Sequence, residues 1–180
     1  DRTKVVGRPY VYLAVDTATQ LIAGLYVGYE AGEEAVMACL ANAAMDKVEY
    51  CRGYGIDIDA ADWPSKGLPS EVITDQGRDF LGGRMKELCL RYGVTCEALP
   101  PFRPDRKGLV EKMFDLMQGR YKPILRGRGV IEADAQERWA VDYRSQAVLT
   151  LEEFTKVILS CILYLNSCRV IENRFCKDAD

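Results

Sequence analysis

Three carboxylates in this chain are spaced to do chemistry together: Asp16, Asp75 and Glu111. Asp16 ends the apolar run Tyr10-Val-Tyr-Leu-Ala-Val-Asp16. Asp75 ends a second run, Val72-Ile-Thr-Asp75, which Gln76-Gly77 follows at once. Glu111 sits within Lys107-Gly-Leu-Val-Glu-Lys-Met-Phe114, a helix-like stretch, and 35 residues separate it from Asp75. Two acids that close strands and a third on a later helix form a set able to converge on divalent ions. Mg²⁺ and Mn²⁺ take oxygen ligands and keep positions open for water and phosphate. A pair of such ions activates a water or a 3′-hydroxyl and stabilises the leaving oxygen of a phosphodiester. Each acid alone has a plainer explanation. Asp favours strand ends and turns, and a lone Glu on a helix pairs with its neighbours for a few tenths of a kcal/mol. The combination of order, spacing and flanks carries the reading.

Composition narrows the alternatives. The chain has no His, which removes Ser-His-Asp and Cys-His catalysis and leaves carboxylates, Lys or metal for any hydrolytic work. Seven Cys, at 39, 51, 89, 96, 161, 168 and 176, include no CxxC pair. Their odd number and apolar settings suit buried free thiols in a reducing cytoplasm better than zinc ligands or disulfides. At 180 residues and 48% hydrophobic, the chain is large enough for one domain with a real core. It opens Asp-Arg-Thr-Lys, as expected of a domain excised from a larger protein. Its longest apolar run, Val157 to Leu165, is too short to span a bilayer.

The elements that must position the acids follow from periodicity. Residues 10–16 and 21–29 read as strands joined by a polar hairpin link, Thr17 to Gln20. In the first strand Val11, Leu13 and Val15 face one way, and Tyr12, Ala14 and Asp16 the other. An Ala-rich helix is expected from about Glu33 to Cys51, and a linker or surface loop over Gly53 to Pro69. Short strands at 71–74 and 94–98 flank a helix from Arg84 to Tyr92 that Gly93 stops. Pro100 to Pro104 reads as rigid and extended, and a helix capped by Asp105 runs to about Tyr121. Thr150 caps a last, largely buried helix, Leu151 to Cys168. On the 105–121 helix Lys107, Phe114, Asp115 and Gln118 share the side of Glu111, with Leu109, Met113 and Leu116 opposite. The expected architecture is α/β, a mixed central sheet that begins with antiparallel hairpins, with helices on both faces.

Net charge is −3, unusual for a DNA-binding domain, but its distribution is uneven. From Glu30 to Asp62 there are eight acids and two bases; from Pro101 to Arg128 there are eight bases and three acids. A basic face on an acidic protein is expected, although such a run is often only a solvated helix surface.

Three blocks together resemble the catalytic core of the DDE transposases and retroviral-type integrases, which have the RNase H-like fold. They are Val15-Asp16-Thr-Ala-Thr19-Gln-Leu-Ile22-Ala-Gly24, Pro69-Ser-Glu-Val-Ile-Thr-Asp75-Gln-Gly77-Arg-Asp79-Phe80, and Pro101-Phe-Arg-Pro104-Asp-Arg-Lys107-Gly108-Leu-Val-Glu111-Lys-Met-Phe114. Gly7-Arg8-Pro9 and the Arg-Pro-Asp-x-Lys-Gly form lean toward the TnsB-like and phage Mu-type bacterial transposases. Three positions depart from the family: Gln76 for Asn, Asp79 for Glu, and Gln20 where Arg is frequent.

The resemblance implies a single catalytic core domain over residues 1–180, with its motifs in 8–118 and a helical part at 150–170. It implies a polynucleotidyl transferase that nicks DNA at a transposon 3′ end and joins the freed 3′-hydroxyl to target DNA. Asp16, Asp75 and Glu111 would be both catalytic residues and metal ligands, holding two Mg²⁺ or Mn²⁺ ions per site when DNA is bound. Arg103, Arg106, Lys107 and Lys112 are candidates for DNA-backbone contact. The partners implied are transposon-end and target DNA, other copies of the chain on DNA and, for a TnsB-like protein, an ATPase target selector and an accessory nuclease. A bacterial cytoplasmic, nucleoid-associated location is expected, with no membrane. Two other readings are a non-catalytic DNA-binding or assembly module of degenerate transposase fold, and an RNase H-fold nuclease that cuts without joining.

Overall fold

The computed structural model describes residues 7–74, 82–98, 104–128 and 147–168, with the backbone alone for 98 and 104–107. Strands β1 (Tyr10–Val15) and β2 (Ile22–Gly28) pair antiparallel, with register pairs from Tyr10–Gly28 to Val15–Ile22 and an irregularity at Ala14/Val15. Helices α1 (Glu33–Ala44) and α2 (Lys47–Gly53) follow, then strand β3 (Glu71–Thr74), helix α3 (Gly83–Tyr92) and strand β4 (Thr95–Ala98). Helices α4 (Pro104–Ile124) and α5 (Leu151–Cys168) complete the described chain. Strands β3 and β4 pair parallel, from Glu71–Thr95 to Thr74–Ala98. Both kinds of pairing expected of a mixed sheet are present, but among the described residues they form two two-stranded sheets and one hairpin.

The alternation read from β1 sorts two cores. Val11, Leu13 and Val15 pack with Met113 and Met117 of α4 and with Ile158, Leu159 and Ile162 of α5. Tyr12 turns the other way, to Val36 and Leu40 of α1 and Met85 of α3. Helices therefore cover both faces of the β1–β2 pair. Gly24 lets α1 lie close on β2: a Cβ there would come within 2.6 Å of the Cys39 carbonyl oxygen. The alanines of α1 complete this close approach, as their small side chains predict.

The expected single helix over 33–51 is instead two. Met45 is extended, and Asp46 caps α2 by accepting the N–H groups of Val48 and Glu49 at 3.0 and 3.2 Å. The signal was in the sequence: Asp46 precedes Glu49 by three residues, the spacing of a helix start. Helix α4 begins at Pro104, so Asp105 lies inside its first turn and is not its cap. Proline fits a first turn because its fixed φ is helical and its missing N–H has no partner there. The rest of the extended stretch, Pro100 to Arg103, lies outside the described residues. At the other end α4 runs three residues past Tyr121 and takes in Pro123. Gly93 ends α3 in the left-handed region, φ 67°, as its position predicts. Thr150 caps α5 as expected, in a reciprocal arrangement: the Glu153 N–H donates to Thr150 Oγ1 at 3.2 Å, and the Thr150 N–H donates to Glu153 Oε2 at 2.9 Å.

The 53–69 connection is more than a surface loop. Trp63 is buried, and its indole N–H donates to the Ile22 carbonyl at 2.7 Å. Ser65 Oγ donates to the Ala23 carbonyl at 3.1 Å. Asn166 of α5 both accepts the Ile22 N–H and donates to the Ile22 carbonyl, and Asn42 of α1 accepts the Leu25 N–H. These side chains satisfy backbone groups of β2 that a further strand would otherwise take. Lys47 secures the segment: its buried ammonium donates to the carbonyls of Ala43, Met45 and Ser65. Burial lowers its pKa to about 8.

Candidate functional site

Asp16 leaves the end of β1 and enters a tight turn. Its N–H donates to the Leu21 carbonyl at 2.9 Å, the Gln20 N–H donates back to the Asp16 carbonyl at 2.8 Å, and Gln20 is left-handed at φ 57°. The Asp16 carboxylate folds over this turn. Oδ2 accepts the Thr19 N–H at 3.0 Å and the Thr19 hydroxyl, and Oδ1 accepts the Ala18 N–H at 3.4 Å. The Thr19 hydroxyl bond is the main reason the Asp16 pKa lies below the usual 3.8, with the backbone N–H bonds adding to it against a smaller opposing effect of burial.

Glu111 projects from the middle of α4, an exposed residue on the side that Phe114 shares. Met113 and Met117 are fully buried opposite, as the helical spacing predicts. Asp16 and Glu111 line the same cleft, about 1040 Å³ in volume. The cleft runs between β1 and β3, and Thr74, the last residue of β3, lines it too. Asp75 follows Thr74 directly but lies outside the described residues, as do Gln76, Asp79 and Arg103. Two of the three expected acids are therefore brought to one cleft, and the strand that leads to the third borders it.

Of the expected DNA contacts, Lys112 is exposed on α4 next to Glu111, and Arg106 and Lys107 lie in the first turns of the same helix. Further along α4, Arg120 stacks on Tyr164 of α5, 3.2 Å from the ring centroid, which ties this base into the fold. Six cysteines among the described residues carry free thiols, and burial pushes Cys39 up to about 12. No group of three acid, Cys or His side chains that could hold a metal forms among the described residues. The carboxylates that line the cleft, Asp16, Glu71 and Glu111, suit a hard ion such as Mg²⁺ or Mn²⁺, and the one thiol in the lining, Cys39, is buried and protonated. None of the helices among the described residues is long and apolar enough to cross a membrane.

Sequence reasoning missed a clamp at the far end of the 75–81 segment. Helix α3 starts on Gly82 and has no capping side chain of its own. Glu33 of α1 takes that part, accepting the Met85 N–H at 2.8 Å, and Glu34 pairs with Arg84. A Cβ at Gly82 would sit on the Glu33 carboxylate. The paired acids at the start of α1 were visible in the sequence, but the helix they cap lies some fifty residues away.

Comparisons with known proteins agree on the kind of chain this is. Residues 1–127 match the family model for the TnsB C-terminal domain. The chain is 34% identical over 182 residues to the Transposon Tn7 transposition protein TnsB of Escherichia coli, a match that takes in all of this chain and 25% of that protein. It therefore spans about a quarter of that relative's length. Among solved structures it superposes on the catalytic core domain of BIV integrase with a TM-score of 0.50 and 18% identity, covering 91% of this chain and 78% of that one. It also superposes on the HTLV-2 integrase catalytic core domain in complex with magnesium, at 0.50 and 16%, covering 93% and 86%. The fold is RNase H-like.

Proposed function

The chain belongs to the TnsB C-terminal domain family, and from that premise we propose that it is the catalytic core of a DNA transposase, a polynucleotidyl transferase whose Asp16, Asp75 and Glu111 hold divalent ions. The observation that carries the proposal is the convergence of Asp16, Glu111 and Thr74, the residue before Asp75, on one cleft. Residues 1–180 form one core domain, with the motifs in 8–118 and helical support at 150–170. Bound Mg²⁺ or Mn²⁺ supplies activation of the attacking oxygen and neutralisation of the leaving one.

The chain's own residues do the remaining work. Asp16, its carboxylate held by the bonds of its turn, presents an oriented anion. Glu111 lines the same cleft from α4. Arg103, together with Arg106, Lys107 and Lys112 of α4, binds the phosphate backbone, which sets the register of the scissile bond without reading sequence. The substrates are transposon ends and target DNA. Nicking yields a 3′-hydroxyl, and the same site then directs that hydroxyl at a target phosphodiester in line. Other copies of the chain assemble with it on DNA. An ATPase target selector and an accessory nuclease are the further partners that fit a TnsB-like role.

The test is to incubate the full-length protein with transposon-end DNA and Mn²⁺ and resolve nicked from strand-transfer products. Both are expected, and Asp75→Asn and Glu111→Gln should each lower both by about a thousandfold, roughly 4 kcal/mol of barrier. Nicks without joints would make the protein a nuclease. Neither product would leave a DNA-binding assembly module, and undiminished activity in the variants would overturn the assignment of Asp75 and Glu111.

A further inference from the structure

We infer that Thr19 is a positioning residue for Asp16: it holds one carboxylate oxygen, Oδ2, through both its N–H and its hydroxyl, and so leaves Oδ1 as the oxygen that would be available to a divalent ion. The inference rests on the metal-site reading above and specifies how one ligand of that site is prepared. Both residues line the cleft. Oδ2 accepts two bonds, from the Thr19 N–H at 3.0 Å and from the Thr19 hydroxyl. The hydroxyl hydrogen points to Asp16, because a carboxylate can only accept, and the Leu21 N–H makes a longer contact, 3.3 Å, on the acceptor side of Thr19 Oγ1. Oδ1, by contrast, has only the Ala18 N–H, at 3.4 Å, beyond the usual range for such a bond. One oxygen is committed and the other is nearly free.

Two consequences follow. A carboxylate already locked in one rotamer loses no further torsional freedom when it binds an ion, so the turn raises affinity without touching the ion. Committing Oδ2 also discourages two-oxygen chelation. Ca²⁺ readily takes carboxylates in that mode, whereas Mg²⁺ takes fewer ligands in a strict octahedron. Thr19 thereby biases the site toward the smaller ion.

The experiment is a Mn²⁺ titration of the full-length protein, read as free Mn²⁺ by electron paramagnetic resonance and repeated with Ca²⁺ as competitor. The relevant site is the one that Asp16→Asn removes. Thr19→Val, which keeps the shape and the N–H but loses the hydroxyl, should weaken Mn²⁺ at that site about 10-fold. The same variant should change Ca²⁺ affinity by less than about threefold, so that Mn²⁺/Ca²⁺ discrimination falls. Thr19→Ser, which keeps the hydroxyl, should stay within about twofold of the unmodified protein. If Thr19→Val binds Mn²⁺ normally while Asp16→Asn does not, Thr19 has no positioning role and the metal site stands. A 10-fold loss in Thr19→Ser would overturn the role as well. If Asp16→Asn itself leaves Mn²⁺ binding unchanged, the metal-site reading falls and the role of Thr19 with it.

Discussion

On one face of the antiparallel pair, eleven buried residues from β2, α2, α4, α5 and the Trp63 segment form one cluster, whereas Val36, Leu40 and Met85, between that pair's other face and the parallel pair, form a cluster of three among the described residues. The two halves meet across the cleft. Asp16 leaves the densely packed half through a turn whose hydrogen bonds fix both backbone and carboxylate. Strand β3, which leads to Asp75, belongs to the lightly packed half, whose helix α3 is held to α1 by the Glu33 clamp and an exposed ion pair of small worth. The difference teaches a division of labour. The first half holds most of the buried apolar packing among the described residues, and the second holds the strand that leads to Asp75.

Truncations should separate the halves. Trp63→Ala removes the largest buried side chain of the dense half and the donor to the Ile22 carbonyl. It should lower unfolding free energy by about 3–5 kcal/mol in denaturant melts. Met85→Ala, in the small cluster, should cost about 2 kcal/mol, because half-exposed neighbours can close over the gap. Equal losses would erase the asymmetry. Hydrogen exchange sharpens it further: Met85→Ala should speed exchange in α3 and leave α5 protected.

The clamp gives a smaller effect with a sharper signature. Gly82→Ala keeps an ordinary φ, −67°, but its new Cβ displaces the Glu33 carboxylate from the Met85 N–H. A loss of about 1 kcal/mol is expected, and about the same for Glu33→Ala. The double variant should cost little more than either alone, since both break one interaction. Additive losses would mean that Glu33 does not cap α3.

The smallest effect is on acid stability. The Asp16 pKa is lower folded than unfolded, so its contribution is complete above the ordinary carboxylate value near 3.8 and fades as pH falls through the folded pKa. Thr19→Val should move the Asp16 pKa, followed by NMR, up toward 3.8, and the stability gap between variant and parent should close at strongly acid pH. An unmoved titration would assign the shift to the backbone N–H bonds alone.

Much of this was legible in the sequence. The alternation of Val11, Leu13 and Val15 against Tyr12 and Ala14 sorted the two faces of β1, and helical spacing put Met113 opposite Glu111. Caps such as Thr150 and Gly93 act within a few residues, so local chemistry reveals them. Trp63, Asn166 and Glu33 were not legible, because their partners Ile22 and Met85 lie far away in the chain and a loop or surface helix end gives no sign of them. Asp16 was read correctly as a strand-ending acid, but the orientation of its carboxylate depends on a hydroxyl three residues on, which the sequence does not show to be in contact.

The central claim is that Asp16, Asp75 and Glu111 meet on divalent ions in the cleft between β1 and β3. Anomalous diffraction from crystals of the full-length protein with DNA and Mn²⁺ tests it most directly. The account predicts a Mn²⁺ peak about 2.0–2.3 Å from oxygens of both Asp16 and Asp75, with Glu111 on the same cluster of ions. Ordered Mn²⁺ bound elsewhere, or Asp75 turned out of the cleft with DNA in place, would contradict it.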